Sequence, residues 1–394
     1  LQARSHVVGS RTLIALTDPA GLMPRPIMLS AQGFRHVVSR LDGTLTLPEI
    51  QLRMLYETGQ WIEQASLHAL IDELEISGAL EGPTWEALEG ADRSLTIRAP
   101  ALAGRSYPDD PAELRSSLTR YMESAGQTAS DTPCRPTRGV VSPHIDFARG
   151  GIIYAHAYQT LAHRCNASVF IVLGVAHQYC GKRFALTRKH FDTPLGLVET
   201  DRETMNALIS RVGPDYFQDE IAHRTEHSIE FQAVFLRHAV ASNRPISIVP
   251  ILVGSFHDHV RNRTSPAETH EIRSMIESIR ELLEGSDGRI ALVAGIDLCH
   301  VGPDFGDPAP VDEALLETVR DFDQRMLACA ADGDAEGWFQ QAAEVRDRYR
   351  VCGLAATYVF LKALGGRSGT LLDYTQAVSA NRRTCVTIAG MAFE

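Results

Sequence analysis

Apolar positions along this chain fall into two textures. Beyond Arg98, short continuous apolar runs alternate with longer stretches in which apolar residues recur every three or four positions. Runs of strand length with no polar alternation mark strands buried on both faces, and the three-to-four spacing marks amphipathic helices. Strands are predicted over 138–142, 168–173, 183–186, 246–253, 289–296 and 384–389. Helices are predicted over 152–161, 202–212, 226–239, 268–283, 313–328 and 354–364. That alternation is the pattern of an α/β domain with a mixed central sheet flanked by helices.

The first ninety residues read differently, which divides the chain into modules 1–92 and 93–394. A short strand over 25–29 leads to Ser30, which can cap a helix carrying Phe34, Val37, Val38 and Leu41, and Asp42-Gly43 breaks it. Helices over 47–56, with Pro48 in the first turn, and 61–76 follow, closed by Gly78. The LDGTLTLPEI stretch and the later ISGAL give this small, mainly helical module a resemblance to winged-helix and PqqD-like peptide-binding modules. Residues 1–95 hold seven Arg and no Lys against twelve acidic residues, which opposes a DNA-reading face and favours a protein or peptide contact, or a packing cap.

Composition narrows the function without choosing it. A net charge of −11 argues against nucleic acid or an anionic membrane surface as the main partner. Only Lys182, Lys189 and Lys362 are available for Schiff-base chemistry. Seven cysteines without tandem spacing read as reduced, so a cytoplasmic protein is the expectation. Neither a membrane span nor a signal peptide is indicated.

The chemistry concentrates where predicted strands end. Arg289–Gly302 reads RIALVAGIDLCHVG, a buried strand delivering Asp297, Cys299 and His300 to its carboxyl end, where ligands sit in open α/β sheets. The strand over 138–142 runs into Ser142-Pro143-His144-Ile145-Asp146, and that over 168–173 into Gly174-Val175-Ala176-His177. A metal needs ligands converging from several strand ends, because sequence neighbours cannot surround it. In HRTEHSIE, Thr225 can cap a helix whose first turn holds His227, where the helix dipole disfavours imidazolium. His223 lies upstream of that cap. Bland readings attach to His257 and His259 as solvated loop residues, to Gly150-Gly151 as a weak anion-binding helix start, and to Cys134, Cys165, Cys180, Cys329, Cys352 and Cys385 as packing or surface thiols. A serine hydrolase built on Ser142, Ser228 or Ser255 is the rival chemistry, lowered by the absence of GxSxG.

In order along the chain, RAPALAGRSYP, VVSPHIDF, VLGVAH, DTPLGLVETD, TEHSIEFQ, IVPILVG and GIDLCHVG resemble the Memo family, whose bacterial members are called AmmeMemoRadiSam system protein B. The resemblance covers Arg98 to Glu394 and implies a fold similar to class III extradiol dioxygenases, which use non-haem iron. Carried over by motif, it implies a transition metal, iron or copper before zinc, on His144, His177 and Cys299. The resemblance puts His227 in the pocket lining; His227, Asp297 and His300 are the candidate catalytic residues, with Asp146 or Asp297 as an alternative oxygen ligand. A thiol in place of the dioxygenase carboxylate, and Ile145 to Gly150 in place of the usual residues after SPH, separate this chain from working dioxygenases. Two functions follow as expectations: a metal-dependent oxidoreductase acting on a small redox-active molecule, or an adaptor using the same cleft for a peptide. The resemblance further implies radical SAM and AMMECR-type protein partners.

Overall fold

The computed structural model describes residues 1–9, 11–126, 136–178 and 180–394, so Cys134 lies outside the described residues. The chain divides into two compact units, Leu1–Leu95 and Thr96–Glu394.

In the first unit, strands Gln2–Val8, Arg11–Thr17 and Ile27–Ser30 form an antiparallel sheet, followed by helices Ala31–His36, Leu47–Thr58, Gln64–Ile76 and Pro83–Ser94. Ser30 caps the first helix by accepting the Gly33 N–H at 3.0 Å. Thr46 and Glu49 form a capping box on the second, with Pro48 in its first turn. The hairpin escapes the sequence pattern because its first strand is exposed on both faces and carries no alternation to read. Buried Leu16, Met23, Ile27, Leu29 and Leu74 form one small core, and Val37, Ile50, Met54 and Leu67 another.

The second unit is built on a mixed sheet of nine strands among the described residues. Its order is His300–Val301, Cys385–Phe393, Gly139–Ser142, Ile290–Gly295, Val169–Val175, Ser247–Val253 and Phe184–Leu186. Gly369–Val378 pairs with Cys385–Phe393, and Glu199–Thr200 with Ser247–Val253. The four strands from Gly139–Ser142 to Ser247–Val253 run parallel, and antiparallel partners flank them. Because strand side chains alternate between faces, Val169, Ile171 and Leu173 pack with helices His270–Glu284, Glu313–Ala331 and Leu354–Leu364, while Phe170 and Val172 pack with Phe147–Arg164 and His227–Phe235. Burial on both faces accounts for the unbroken apolar runs.

Two helix starts differ from expectation, each for a local reason. Asp146 caps Phe147–Arg164 by accepting the Arg149 N–H, so Gly150 and Gly151 lie inside the helix. They serve close packing there: a Cβ on Gly150 would lie 2.7 Å from Ile145 and one on Gly151 2.6 Å from the Tyr121 ring. They are therefore no anion-binding start. The helix at His227 is capped by Glu226, not Thr225, through the N–H groups of His227 and Ser228. No helix among the described residues is long and apolar enough to cross a membrane.

Candidate metal centre

Three neighbouring parallel strands deliver the site. Gly139–Ser142 runs into Pro143-His144, Val169–Val175 into Ala176-His177, and Ile290–Gly295, lying between them, into Ile296-Asp297. The fourth contributor, helix His227–Phe235, lies across the sheet face on two glycines. A Cβ on Gly174 would sit 2.5 Å from Ile229 Cγ1 and Ser228 Oγ, and one on Gly295 would meet the Ser228 carbonyl and the Gln232 amide. Only that close approach lets the helix start, and with it His227, reach the strand ends. Gln232 then donates to the Pro143 carbonyl at 2.8 Å, tying the helix to the loop that carries His144.

The imidazoles of His144, His177 and His227 converge so that one ring nitrogen from each lies within 4.8 Å of the others. Ring centroids are 5.0 Å apart for His144–His177 and His144–His227 and 4.6 Å for His177–His227. His144 is buried, whereas His177 and His227 keep about a third of their side chains exposed, 37% and 32%. Each Nδ1 faces an oxygen that only accepts: His144 the Gly295 carbonyl at 3.0 Å, His177 the Glu226 carboxylate at 3.0 Å, and His227 the same Glu226 oxygen at 3.1 Å. Such partners place a proton on Nδ1 and turn Nε2 toward the centre of the cluster, the orientation seen in metal-ligating histidines.

A thiol completes the cluster, and it belongs to Cys352. Its Sγ lies 3.2 Å from His177 Nε2 and 3.3 Å from His144 Nε2. The chain reaches this position by running against 296–298: Cys352 N–H donates to Leu298 O at 3.1 Å and Gly353 N–H to Asp297 O at 2.8 Å. A Cβ on Gly353 would come within 2.5 Å of Ile296 Cβ.

Electrostatics follow from burial and crowding. Burial, then the neighbouring His177 and His227, holds His144 well below the usual imidazole range. Burial opposes charge on His177, but Cys352 and Glu226 outweigh it and push the ring up to about 11. Burial also opposes ionisation of Glu226, yet His177 and His227 hold its carboxyl well below the carboxylate range. Burial raises Asp297 to about 6 and raises the Cys352 thiol. Asp297 accepts the N–H groups of His144 (2.8 Å) and Ile145 (3.2 Å), which fixes the SPH loop.

The remaining residues singled out from the sequence lie elsewhere. Cys299 is fully buried and donates its thiol proton to Asp323 at 3.1 Å, so it faces the helical core and not the histidines. His300 sits beside the cluster, with Nδ1 on Leu298 O at 3.1 Å and its ring edge-on to Phe305. Burial lowers it to about 4. Asp146 is taken by Arg149, whose Nε donates to it at 2.6 Å, so it offers no oxygen to the site. His223 is buried, with Nε2 on Ala185 O. His259, expected in a solvated loop, is buried in helix His257–Asn262 between Thr264 and Thr269. No candidate serine hydrogen-bonds an imidazole among the described residues. Ser228 Oγ exchanges bonds with the Val175 backbone, and Ser255 accepts the His257 N–H.

Cys352 is the site residue the sequence reading passed over. Its signal was a Cys-Gly pair directly before the strongly apolar helix Leu354–Leu364, where only glycine permits close backbone approach.

Residues 98–392 match the family described as Memo-like protein. A MEMO1 family protein of Aquifex aeolicus is 26% identical over 95% of this chain and 94% of its own length. MEMO1 family proteins of Methanopyrus kandleri (MK0963) and Pyrococcus furiosus (PF1638) are each 30% identical, over 75% and 73% of this chain and 98% and 95% of theirs. With the fold, the histidine cluster and this match in agreement, the chain belongs to the Memo family.

Proposed function

We propose that this protein binds one transition metal through His144, His177 and Cys352 and uses it for redox chemistry on a small molecule, with His227 facing the bound substrate. The observation that carries this reading is the convergence of imidazoles whose Nδ1 protons are all committed to protein oxygens. Ligand atoms around a tetrahedral ion with bonds of about 2.0 to 2.3 Å lie roughly 3 to 4 Å apart. The separations of Cys352 Sγ from His177 Nε2 and His144 Nε2, 3.2 and 3.3 Å, fall in that range. Two imidazoles and a thiolate are a soft set that favours copper(I), zinc or thiolate-bound iron over magnesium or calcium. When bound, the metal would polarise a coordinating substrate oxygen or exchange an electron with it.

The residues around it have separable roles. Glu226 fixes the orientation of His177 and His227 at once, and Asp297 holds the backbone of His144. His227, partly exposed and oriented by Glu226, presents Nε2 as the group that accepts or returns a substrate proton. Elemental analysis of protein purified without chelator, and again after anaerobic iron(II) or copper(I) loading, tests the reading. About one ion per chain is expected. A chain that stays metal-free after loading sinks it.

A further inference from the structure

A buried guanidinium grips the helix start that carries part of the metal centre. Arg98 Nε donates to the His223 carbonyl at 2.7 Å, Nη2 to the Glu226 carbonyl at 2.8 Å and Nη1 to the Ala99 carbonyl at 3.1 Å. Nη1 also pairs with the fully buried Glu230 at 2.6 Å, one turn along helix His227–Phe235 from Glu226. One side chain therefore holds the chain before the helix, the residue that caps it and its first turn. The planar fork makes this possible, because its donors point in fixed directions that a flexible ammonium does not reproduce.

The grip acts on Glu226 through its backbone and leaves its carboxylate to the site. Oε1 accepts Nδ1 of His177 and of His227 and the Ser228 N–H, while Oε2 accepts the His177 N–H. Arg98 spends its charge on Glu230, so the charge of Glu226 stays with the imidazoles. Glu230 is filled by donors from the same segment as Arg98: the Ala101 N–H at 3.0 Å, the Leu102 N–H at 2.9 Å and the Tyr107 hydroxyl at 2.5 Å. Arg98 is itself held in strand Ile97–Arg98, which pairs with His190–Phe191, and its guanidinium lies over the Phe191 ring, 5.1 Å from the centroid.

We propose that Arg98 is a positioning residue of the metal centre: it sets the Glu226 carboxylate that orients His177 and His227, so that docking of the 98–107 segment on the helix is a condition of tight metal binding. The proposal rests on the metal-centre reading and adds to it a residue outside the ligand set.

Competition between the full chain and a chelator for zinc(II) tests it, with the absorption spectrum of the cobalt(II)-loaded protein reporting the geometry of the ligands. Arg98→Lys keeps the charge and gives up the fork. Loss of an outer partner of a metal-ligating histidine weakens binding about 10- to 100-fold, and Arg98 lies one step further out, so about tenfold weaker zinc binding is expected, with an altered cobalt spectrum. The double variant Arg98→Met, Glu230→Gln leaves no unpaired charge in the core, so it keeps the test open where Arg98→Lys folds poorly, and the same loss is expected of it. Asp323→Ala, a change in the core away from the histidines, is the control and should match the parent in both measurements. Zinc affinity and cobalt spectrum equal to the parent's in a folded Arg98 variant, or an equal loss in Asp323→Ala, overturns the proposal and leaves the metal centre standing. A parent chain that takes up neither ion overturns both.

Discussion

Two polar clusters lie on either side of the residues that follow the Ile290–Gly295 strand, and they share ingredients but differ in what they leave open. Around Asp323, the Cys299 thiol donates at 3.1 Å and the Tyr374 hydroxyl at 2.8 Å, with Thr387 Oγ1 accepting the Cys299 N–H at 2.9 Å. Every group there is spent on another, and both Cys299 and Asp323 are fully buried. Around Glu226, by contrast, the carboxylate takes Nδ1 of His177 and of His227 and turns each Nε2 into the cluster, where that of His177 meets the Cys352 thiol at 3.2 Å. A satisfied cluster specifies packing, whereas a cluster with oriented, unspent lone pairs binds a ligand. Proximity of a thiol, a carboxylate and a histidine in the sequence does not distinguish the two.

Exchanging the thiols gives the largest contrast. Cys352→Ser is expected to lower metal affinity at least 100-fold, while Cys299→Ser keeps the metal content of the parent. Anaerobic titration against a competing chelator reads both. Loss of metal in the Cys299 variant with retention in the Cys352 variant would reverse the assignment of the two clusters.

Removing the sealed carboxylate comes next. Asp323→Ala strands the fully buried Cys299 thiol and takes the partner of the half-buried Tyr374 hydroxyl, and each unsatisfied buried group costs about 1 to 3 kcal/mol. A loss of about 3 kcal/mol in denaturant unfolding is expected, with metal stoichiometry unchanged. A variant as stable as the parent but unable to hold metal would mean that the Asp323 cluster, and not the histidines, is the functional one.

The same contrast explains what was legible in the sequence. The strands were readable because burial on both faces leaves unbroken apolar runs, and His144 and His177 because each follows such a run directly. His227 was visible beside its helix start, although the cap proved to be Glu226. Cys299 looked right because a spacing of two from Asp297 would share its face in a strand. Residues 296–299 lie beyond the strand Ile290–Gly295, however, and there the Cys299 N–H pairs with Thr387 and its thiol turns to Asp323. Cys352 stood more than fifty residues on, brought back by backbone bonds to Asp297 and Leu298 that no local pattern encodes. The RAPALAGRSYP stretch was recognisable as a motif but not interpretable. Its role emerges only on folding, when Arg98 donates to the carbonyls of His223 (2.7 Å) and Glu226 (2.8 Å) and pairs with Glu230 at 2.6 Å, bracing the loop that holds Glu226.

A gentler change probes the open cluster without removing a ligand. Glu226→Gln keeps the shape of the side chain but gives up the charge that orients two imidazoles. Loss of an outer hydrogen-bond partner of this kind costs about 10- to 100-fold in metal affinity. The expectation is a drop in that range at unchanged stoichiometry, read by the same chelator competition. An affinity equal to the parent's would show that the histidines are held by packing alone.

The smallest effect concerns a sealed imidazole, His223, which belongs to the same segment as His227 but not to the open cluster. Burial pushes it down to about 3, although its bond to the Ala185 carbonyl acts the other way and the nearby Arg98 adds to the lowering. The native state thus refuses a proton that the unfolded chain accepts near pH 6.5. Between pH 6.5 and about 3 the unfolded state binds more protons, so stability falls as pH falls, by up to about 1.4 kcal/mol per pH unit from this one group. Above pH 6.5 both states are neutral at this position and the contribution is flat. Unfolding measured at pH 7, 6 and 5 should therefore show a shallower decline for His223→Gln than for the parent, even where the variant starts lower. Parallel declines would place the acid sensitivity in other groups and leave His223 as a packing residue whose protonation does not limit the fold.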